Sequence, residues 1–291
     1  MVKFENGAVL LGDAPSDCPL KNLRTHTLHV ALALTSHLPE SDDPEEYGDG
    51  DPGLMPEWHS TGEWLSAAAG IGSIEYAMLD RASLFDDQGL CESATEYFDG
   101  RDKLQKKFFS ALTRFSLIWS SFEAAAELIT PRGSEKSAVQ KARAYILQHF
   151  TGRQFEHFEG CVLGRLKQHV KHSAYNRDLI GLFNFGPGAA AVDGGMRVVQ
   201  EIRNTFAHGG LELPDDAEGH PIPVCIIDLS SRIVLFGIQA LIWCRLKEIP
   251  GYIIEASYIG GGRTRKLRPL LKSIHLQHGK LLGGSKEPRA R

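Results

Sequence analysis

The stretch FFSALTRFSLIWSSFEAAAELI, residues 108–129, decides the fold class of this 291-residue chain. Its apolar side chains follow one another at alternating spacings of four and three residues, which is the pattern of one wide apolar stripe on an α-helix. They are Phe108, Leu112, Phe115, Trp119, Phe122, Ala126 and Ile129. The spacing predicts a helix of about six turns that packs this stripe into a core. Trp119 and Phe122 are therefore interpreted as core residues.

Helical periodicity recurs on both sides of this stretch. Ser134 is the expected N-cap of a helix that follows the break at Thr130-Pro131-Arg132-Gly133. The last periodic segment is apolar nearly all round, so it should be the buried central helix. The flanking helices are predicted over 62–82, 134–150, 158–174, 196–207 and 228–248.

Three other segments are less plainly helical. Residues 20–38 have apolar side chains near helical spacing, but a period-2 run within them also permits a strand. FNFGPGAAAVDGG, residues 183–195, is interpreted as a loop because of its glycines and proline. Leu211–Leu213 and Pro223–Ile227 are expected to pair as one small β-hairpin. Because strands and helices do not alternate, the predicted fold class is an all-α helical bundle.

Charge divides the chain into three parts. Residues 1–103 carry 6 Lys/Arg and 20 Asp/Glu, residues 104–258 carry 17 and 15, and residues 259–291 carry 9 and 1. We therefore expect an acidic helical N-terminal region, a helical bundle and a basic C-terminal tail with these boundaries.

The basic tail is expected to bind a polyanion such as RNA. Its densest cations follow a flexible Gly260–Gly262 run, and they are Arg263, Arg265, Lys266 and Arg268. Two alternatives are a solvated, disordered terminus and a tail that folds onto the acidic segment 39–53.

The segment MRVVQEIRNTFAHGG, residues 196–210, brings reactive side chains together. On a helix, Val199, Ile202 and Phe206 form an apolar stripe that should face the core. Asn204 and His208 lie one turn apart on the opposite face, and Arg203 lies beside them. Gly209-Gly210 is expected to stop the helix, which leaves His208 at its end. A guanidinium that keeps its charge and an imidazole that exchanges protons near neutral pH are the groups that phosphodiester cleavage needs. The alternative is an ordinary helix end with a histidine favoured by the helix dipole.

The run Arg203-Asn204-Thr205-Phe206-Ala207-His208 resembles the R-x(4–6)-H signature, with a polar residue after the Arg, of the HEPN superfamily (higher eukaryotes and prokaryotes nucleotide-binding). The aromatic-rich helix before it and the apolar helix after it fit the same frame, over roughly residues 104–250. The resemblance implies an all-α, HEPN-like bundle, frequently homodimeric, that cuts RNA without a metal ion. It also implies a role for each motif residue. His208 would be the acid/base, Arg203 would bind the scissile phosphate, and Asn204 would orient His208 or the phosphate.

The expected function is therefore a metal-independent endoribonuclease that attacks through the ribose 2′-hydroxyl, and the resemblance suggests a toxin or defence effector. RNA, a second copy of the chain, and an antitoxin or other protein are the expected partners. The alternative is a non-catalytic HEPN-type module that docks RNA or a protein partner.

No cofactor and no metal ion are expected. The histidine pairs at i, i+3 lack the companion carboxylates or cysteines of a zinc site, and they are His26/His29, His169/His172 and His275/His278. Five scattered cysteines without a CxxC pair indicate reduced thiols. The N-terminus lacks a signal-peptide pattern, and the most apolar stretch, Ile233–Cys244, is too short to span a bilayer. A cytoplasmic protein without membrane association is expected.

Overall fold

In a computed structural model, the body of the chain is an all-α bundle around one buried core, with short strands at its edges. The fold class predicted from the sequence is confirmed. The structure describes residues 4–5, 8–9, 19–35, 37–39, 58–75, 92–129, 137–150, 155, 157–173, 176–208, 213, 222–248, 252–255 and 264–277.

The helices in chain order are α1 (Leu23–Thr35), α2 (His59–Gly70), α3 (Glu92–Ile129), α4 (Ala138–His149), α5 (Gly164–Lys171), α6 (Asn176–Leu179), α7 (Ala189–Ala207), α8 (Ile222–Glu248) and α9 (Leu267–Leu271). A π-helix, Phe158–Leu163, leads directly into α5, and a 3₁₀ turn, Ile180–Leu182, follows α6. Strands β1 (Phe4–Glu5) and β2 (Ala8–Val9) pair antiparallel. Strands β3 (His37–Pro39), β4 (Tyr252–Glu255) and β5 (Thr264–Lys266) form an antiparallel sheet in that order.

Helix α3 carries the predicted stripe into the core. Phe122 is fully buried and Trp119 is 4% exposed, as expected of core residues. The helix packs against α2 and α8 and starts at Glu92, so the boundary expected at residue 103 falls inside one continuous helix. The first helices and the bundle therefore share a single core.

Helix α8 is the buried central helix, and it is longer than predicted. It begins at Ile222, so the hairpin strand expected at Pro223–Ile227 is wrong. Proline is tolerated in the first turn of a helix, where its missing N–H has no intrahelical partner to lose. The stretch Ile222–Arg245 is long and apolar enough to cross a bilayer, but 83% of its most apolar window is buried inside the fold, as in a core helix.

Helix α7 also begins earlier than predicted, because the loop expected over 183–195 is helical from Ala189 onward. Its glycines serve close packing instead of a turn. A Cβ on Gly194 would lie 2.3 Å from the Phe185 ring, and one on Gly195 would lie 2.9 Å from Leu163.

Helix α4 starts at a different cap from the one predicted. It is capped by Ser137 in a capping box with Gln140. The expected cap, Ser134, lies outside the described residues.

The C-terminal segment 264–277 is folded, so the expectation of a separate tail from residue 259 is wrong for this part. Its apolar side chains, among them Leu267, Leu271 and Ile274, are buried in the common core. The backbone N–H of Lys21 donates to the His275 carbonyl at 2.9 Å, which ties the segment to the chain before α1. Residues 278–291 and nearly all of the acidic segment 39–53 lie outside the described residues.

A buried polar cluster joins this segment to α1 and α8. The Lys21 ammonium lies 2.7 Å from His29 Nδ1 and donates to the Ile274 carbonyl at 2.8 Å. His26 Nε2 and Gln239 Oε1 are 2.6 Å apart, and the Gln239 amide donates to the Leu271 carbonyl. These hydrogen bonds thus connect the N-terminal and C-terminal segments inside the fold.

The charges around His26 are all positive. Burial first, and then His275, Arg232 and Lys21, hold the pKa of His26 well below its ordinary 6.5, against a smaller opposing effect of its hydrogen bond to Gln239. His26 therefore stays neutral in the folded protein while it takes up a proton in the unfolded chain below pH 6.5.

We expect the free energy of unfolding to fall as the pH drops below about 6.5, by up to about 1.4 kcal/mol per pH unit for each such histidine. The unfolded chain binds more protons in that range, so acid favours unfolding. Urea denaturation between pH 7 and 5 measures the slope. His26→Gln should make it shallower, whereas His59→Gln, at an exposed histidine of α2, should not. An unchanged slope in His26→Gln would contradict this interpretation.

Candidate active site

The C-terminal end of α7 lies beside the N-terminal part of α8. Met196 of α7 and Phe122 of α3 both contact Gly237 of α8. Nearer the start of α8, Asp228 lies 3.4 Å from Arg114 of α3, and Arg203 of α7 lies over Trp119 of α3. Residue numbers therefore rise together along α3 and α8 but in opposite directions along α3 and α7, so α7 and α8 run antiparallel.

Ten residues after Met196, Phe206 packs edge-on against Phe115 of α3, with ring centroids 6.0 Å apart. The predicted motif residues are therefore carried on a helix end that packs against the core through Ile202 and Phe206.

Arg203 is exposed, and its guanidinium carbon lies 5.9 Å from the centroid of the Trp119 ring. The Trp119 indole N–H donates to Glu123 Oε1 at 2.7 Å, which fixes the ring. A cation over an aromatic face at an exposed site is stabilised by about 0.5–1 kcal/mol. Trp119 thus has a role that its place in the core stripe did not reveal, namely supporting the guanidinium of Arg203.

His208 is the C-cap residue of α7, one residue past its last helical position. Its backbone N–H donates to the Asn204 carbonyl at 3.0 Å, so the two residues are one turn apart, as the sequence predicts. His208 is exposed and Asn204 is half-buried. Within the part of the chain that the structure describes, the Arg203 and His208 side chains have no hydrogen-bond or ion-pair partner, so both are open to a ligand.

A second polar cluster, which sequence reasoning missed, lies at the same level of the bundle. Arg114, the residue before Phe115, has its Nη1 atom 3.4 Å from Oδ1 of Asp228 on α8. Burial raises the pKa of Asp228, while Arg114 and Arg232 lower it. Burial, followed by Asp228, raises the pKa of the Cys225 thiol to about 12, so the thiol stays protonated. Asp228 itself could have indicated this cluster from the sequence, because it is an acid within a mostly apolar helix.

The expected RNA-binding cations of the C-terminal segment lie far from this end. Arg265 and Lys266 are in β5, paired with Ile254 and Ile253 of β4, which follows the C-terminal end of α8. Helix α8 has 27 residues and is therefore about 40 Å long, with the end of α7 near its other terminus. The structure does not bring these cations together with Arg203 and His208. Arg268 is the second residue of α9, and Arg263 lies outside the described residues.

Among the described residues, no group of three or more histidines, cysteines and acids is placed to hold a metal ion. In each of the histidine pairs, at least one described histidine is buried. His26 is fully buried and His169 is 8% exposed. His278 lies outside the described residues.

Comparison with known proteins adds no assignment: no family model matches the chain, and neither a curated protein nor a solved structure resembles it significantly. The chain is an all-α bundle that presents an arginine, an amide and a histidine at one exposed helix end.

Proposed function

We propose that the chain is a metal-independent endoribonuclease of the HEPN type, with Arg203, Asn204 and His208 in its active site. The observation that carries the proposal is the arrangement of the motif. Arg203 is held on the face of Trp119, and His208 projects from the exposed helix end one turn beyond Asn204. The site therefore offers a fixed positive charge and a titratable imidazole at one exposed helix end.

These groups suit cleavage through the ribose 2′-hydroxyl. His208 takes the 2′-hydroxyl proton as the 2′-oxygen attacks the phosphorus, and the bond to the 5′-oxygen breaks. The 5′-oxygen takes a proton from a general acid, leaving a 5′-hydroxyl and a 2′,3′-cyclic phosphate. Arg203 neutralises the charge that grows on the phosphate oxygens. Asn204 orients His208 or the phosphate.

One histidine cannot be base and acid in the same step, and among the described residues His208 is the one histidine at this helix end. We infer that a second copy supplies the other, in a homodimer with the two α7 ends near the two-fold axis.

We expect light scattering to give twice the mass of one chain at micromolar protein concentration. Because each site would need two copies, cleavage per chain should fall on dilution into the range where the dimer dissociates. A chain that is monomeric at every concentration and fully active would contradict the two-copy site.

One observation favours a second candidate, a non-catalytic module that docks RNA or a protein. Within the described residues, no side chain orients the His208 imidazole, whereas a catalytic base is usually held by a hydrogen bond. Incubation of the purified protein with labelled RNA in excess EDTA separates the two candidates. The ribonuclease is expected to cut the RNA, and the docking module is expected to leave it intact.

A further inference from the structure

Helix α5 presents a cationic surface that the sequence did not single out. Its eight residues, GRLKQHVK, include three Lys/Arg and no acid. Lys167 and Lys171 are exposed one turn apart, His172 follows them at the surface, and Arg165 is half-buried. We call Arg165, Lys167, Lys171 and His172 the α5 face.

The charge of the α5 face is not balanced by acids of the same segment. The pKa of His169, which lies between these residues, falls to about 4, because of burial first and then of Arg165 and His172. Over residues 157–173 the one acid is Glu159, and its Oε1 accepts a hydrogen bond from the backbone N–H of Gly188 at 2.9 Å. Among the described residues, Lys167 and Lys171 form no ion pair. The α5 face therefore carries an unbalanced positive charge.

This charge lies on the side of the bundle where α7 ends. Leu163, just before α5, contacts Gly195 of α7, which also faces Ile233 of α8. Five residues earlier, Phe158 contacts Phe236, which lies further along α8 than Ile233, with ring centroids 4.7 Å apart. Helix α5 therefore runs antiparallel to α8 and parallel to α7, and its last turn points toward the end of the bundle that carries Arg203 and His208.

We propose that the α5 face binds the phosphate backbone of single-stranded RNA whose scissile bond lies at the end of α7. The inference rests on the proposed function and adds the surface that supplies affinity. Lysine contacts to phosphates position a strand without reading its sequence. The RNA-binding role predicted for Arg265 and Lys266 is thereby assigned to a surface that points toward the end of the bundle where α7 ends.

The test is binding of a labelled RNA oligonucleotide to the His208→Ala protein, which separates affinity from cleavage, at salt concentrations from 50 to 200 mM. Lys167→Ala combined with Lys171→Ala should weaken binding and reduce the log–log salt slope by about 1.4, from roughly 0.7 per phosphate contact. Between 50 and 200 mM salt, the fold-decrease in RNA affinity should then be about seven times smaller for the double variant than for the His208→Ala parent. Alanine preserves the helix, and thermal melting checks the fold.

Lys272→Glu is the matched control. It changes the net charge by the same two units, and Lys272 lies over Trp243 in the C-terminal half of α8, far from the α5 face. Equal weakening by the control and the double variant, or an unchanged slope in the double variant, would overturn the inference. If the slope falls but the native protein leaves RNA intact, the α5 face is supported and the catalytic proposal fails. If the native protein cuts RNA and the salt slope of the double variant is unchanged, the catalytic proposal is supported and the RNA-binding role of the α5 face fails.

Discussion

Replacement of His208 by alanine is expected to slow RNA cleavage by about 10²- to 10⁴-fold, the usual contribution of a positioned acid or base. Stability should change little, since His208 is exposed and lies outside the core. Single-turnover cleavage rates and thermal melting measure the two effects separately. Loss of rate without loss of stability is the signature of a group that acts in the reaction.

His59 provides the control for this substitution. It is also an exposed histidine on a helix surface, and its Nε2 lies 2.9 Å from Glu63 Oε1. His59→Ala should cut RNA at the native rate. A His208→Ala protein as active as the His59→Ala protein would remove His208 from the mechanism.

Arg203→Ala is expected to lower the cleavage rate by about 10²- to 10³-fold, the usual cost of losing one group that stabilises the developing negative charge. Arg203→Lys should recover part of this loss and not all of it. Lysine keeps the positive charge but lacks the planar fork that binds two phosphate oxygens while stacked on Trp119. Because the charge is needed most in the transition state, kcat should fall more than KM rises.

Arg197→Ala is the control for both variants of Arg203, because Arg197 is exposed on the same helix nearly two turns earlier. It should leave kcat unchanged. If Arg203→Ala and Arg197→Ala were indistinguishable, the phosphate-binding role of Arg203 would be refuted.

The features that followed from the sequence are those set by local periodicity. The stripe from Phe108 to Ile129 predicted the long helix α3. The turn-by-turn spacing of Val199, Ile202 and Phe206 predicted which face of α7 packs against the core. The end of α7 at Ala207 also followed, because Gly209-Gly210 interrupts the periodicity. Local patterns therefore sufficed to place Arg203, Asn204 and His208 on one exposed helix end.

The features that did not follow depend on contacts between distant parts of the chain. Gly194 and Gly195 read as loop residues until Phe185 and Leu163 are placed against them. The basic C-terminal segment was predicted to be a tail because its partners before α1, such as Lys21, lie more than 200 residues away in the sequence. Separation along the chain also concealed the contact between Arg114 and Asp228, which are 114 residues apart, and the position of the α5 face relative to α7.

The most direct test of the central claim compares two labelled oligonucleotides of one sequence, an RNA and its 2′-deoxy counterpart, in excess EDTA with native and His208→Ala protein. We expect the native protein to cut only the RNA and to leave 2′,3′-cyclic phosphate ends, and the His208→Ala protein to cut at most about one-hundredth as fast. Cleavage of the 2′-deoxy strand, loss of RNA cleavage in EDTA, or full activity of the His208→Ala protein would contradict the central claim.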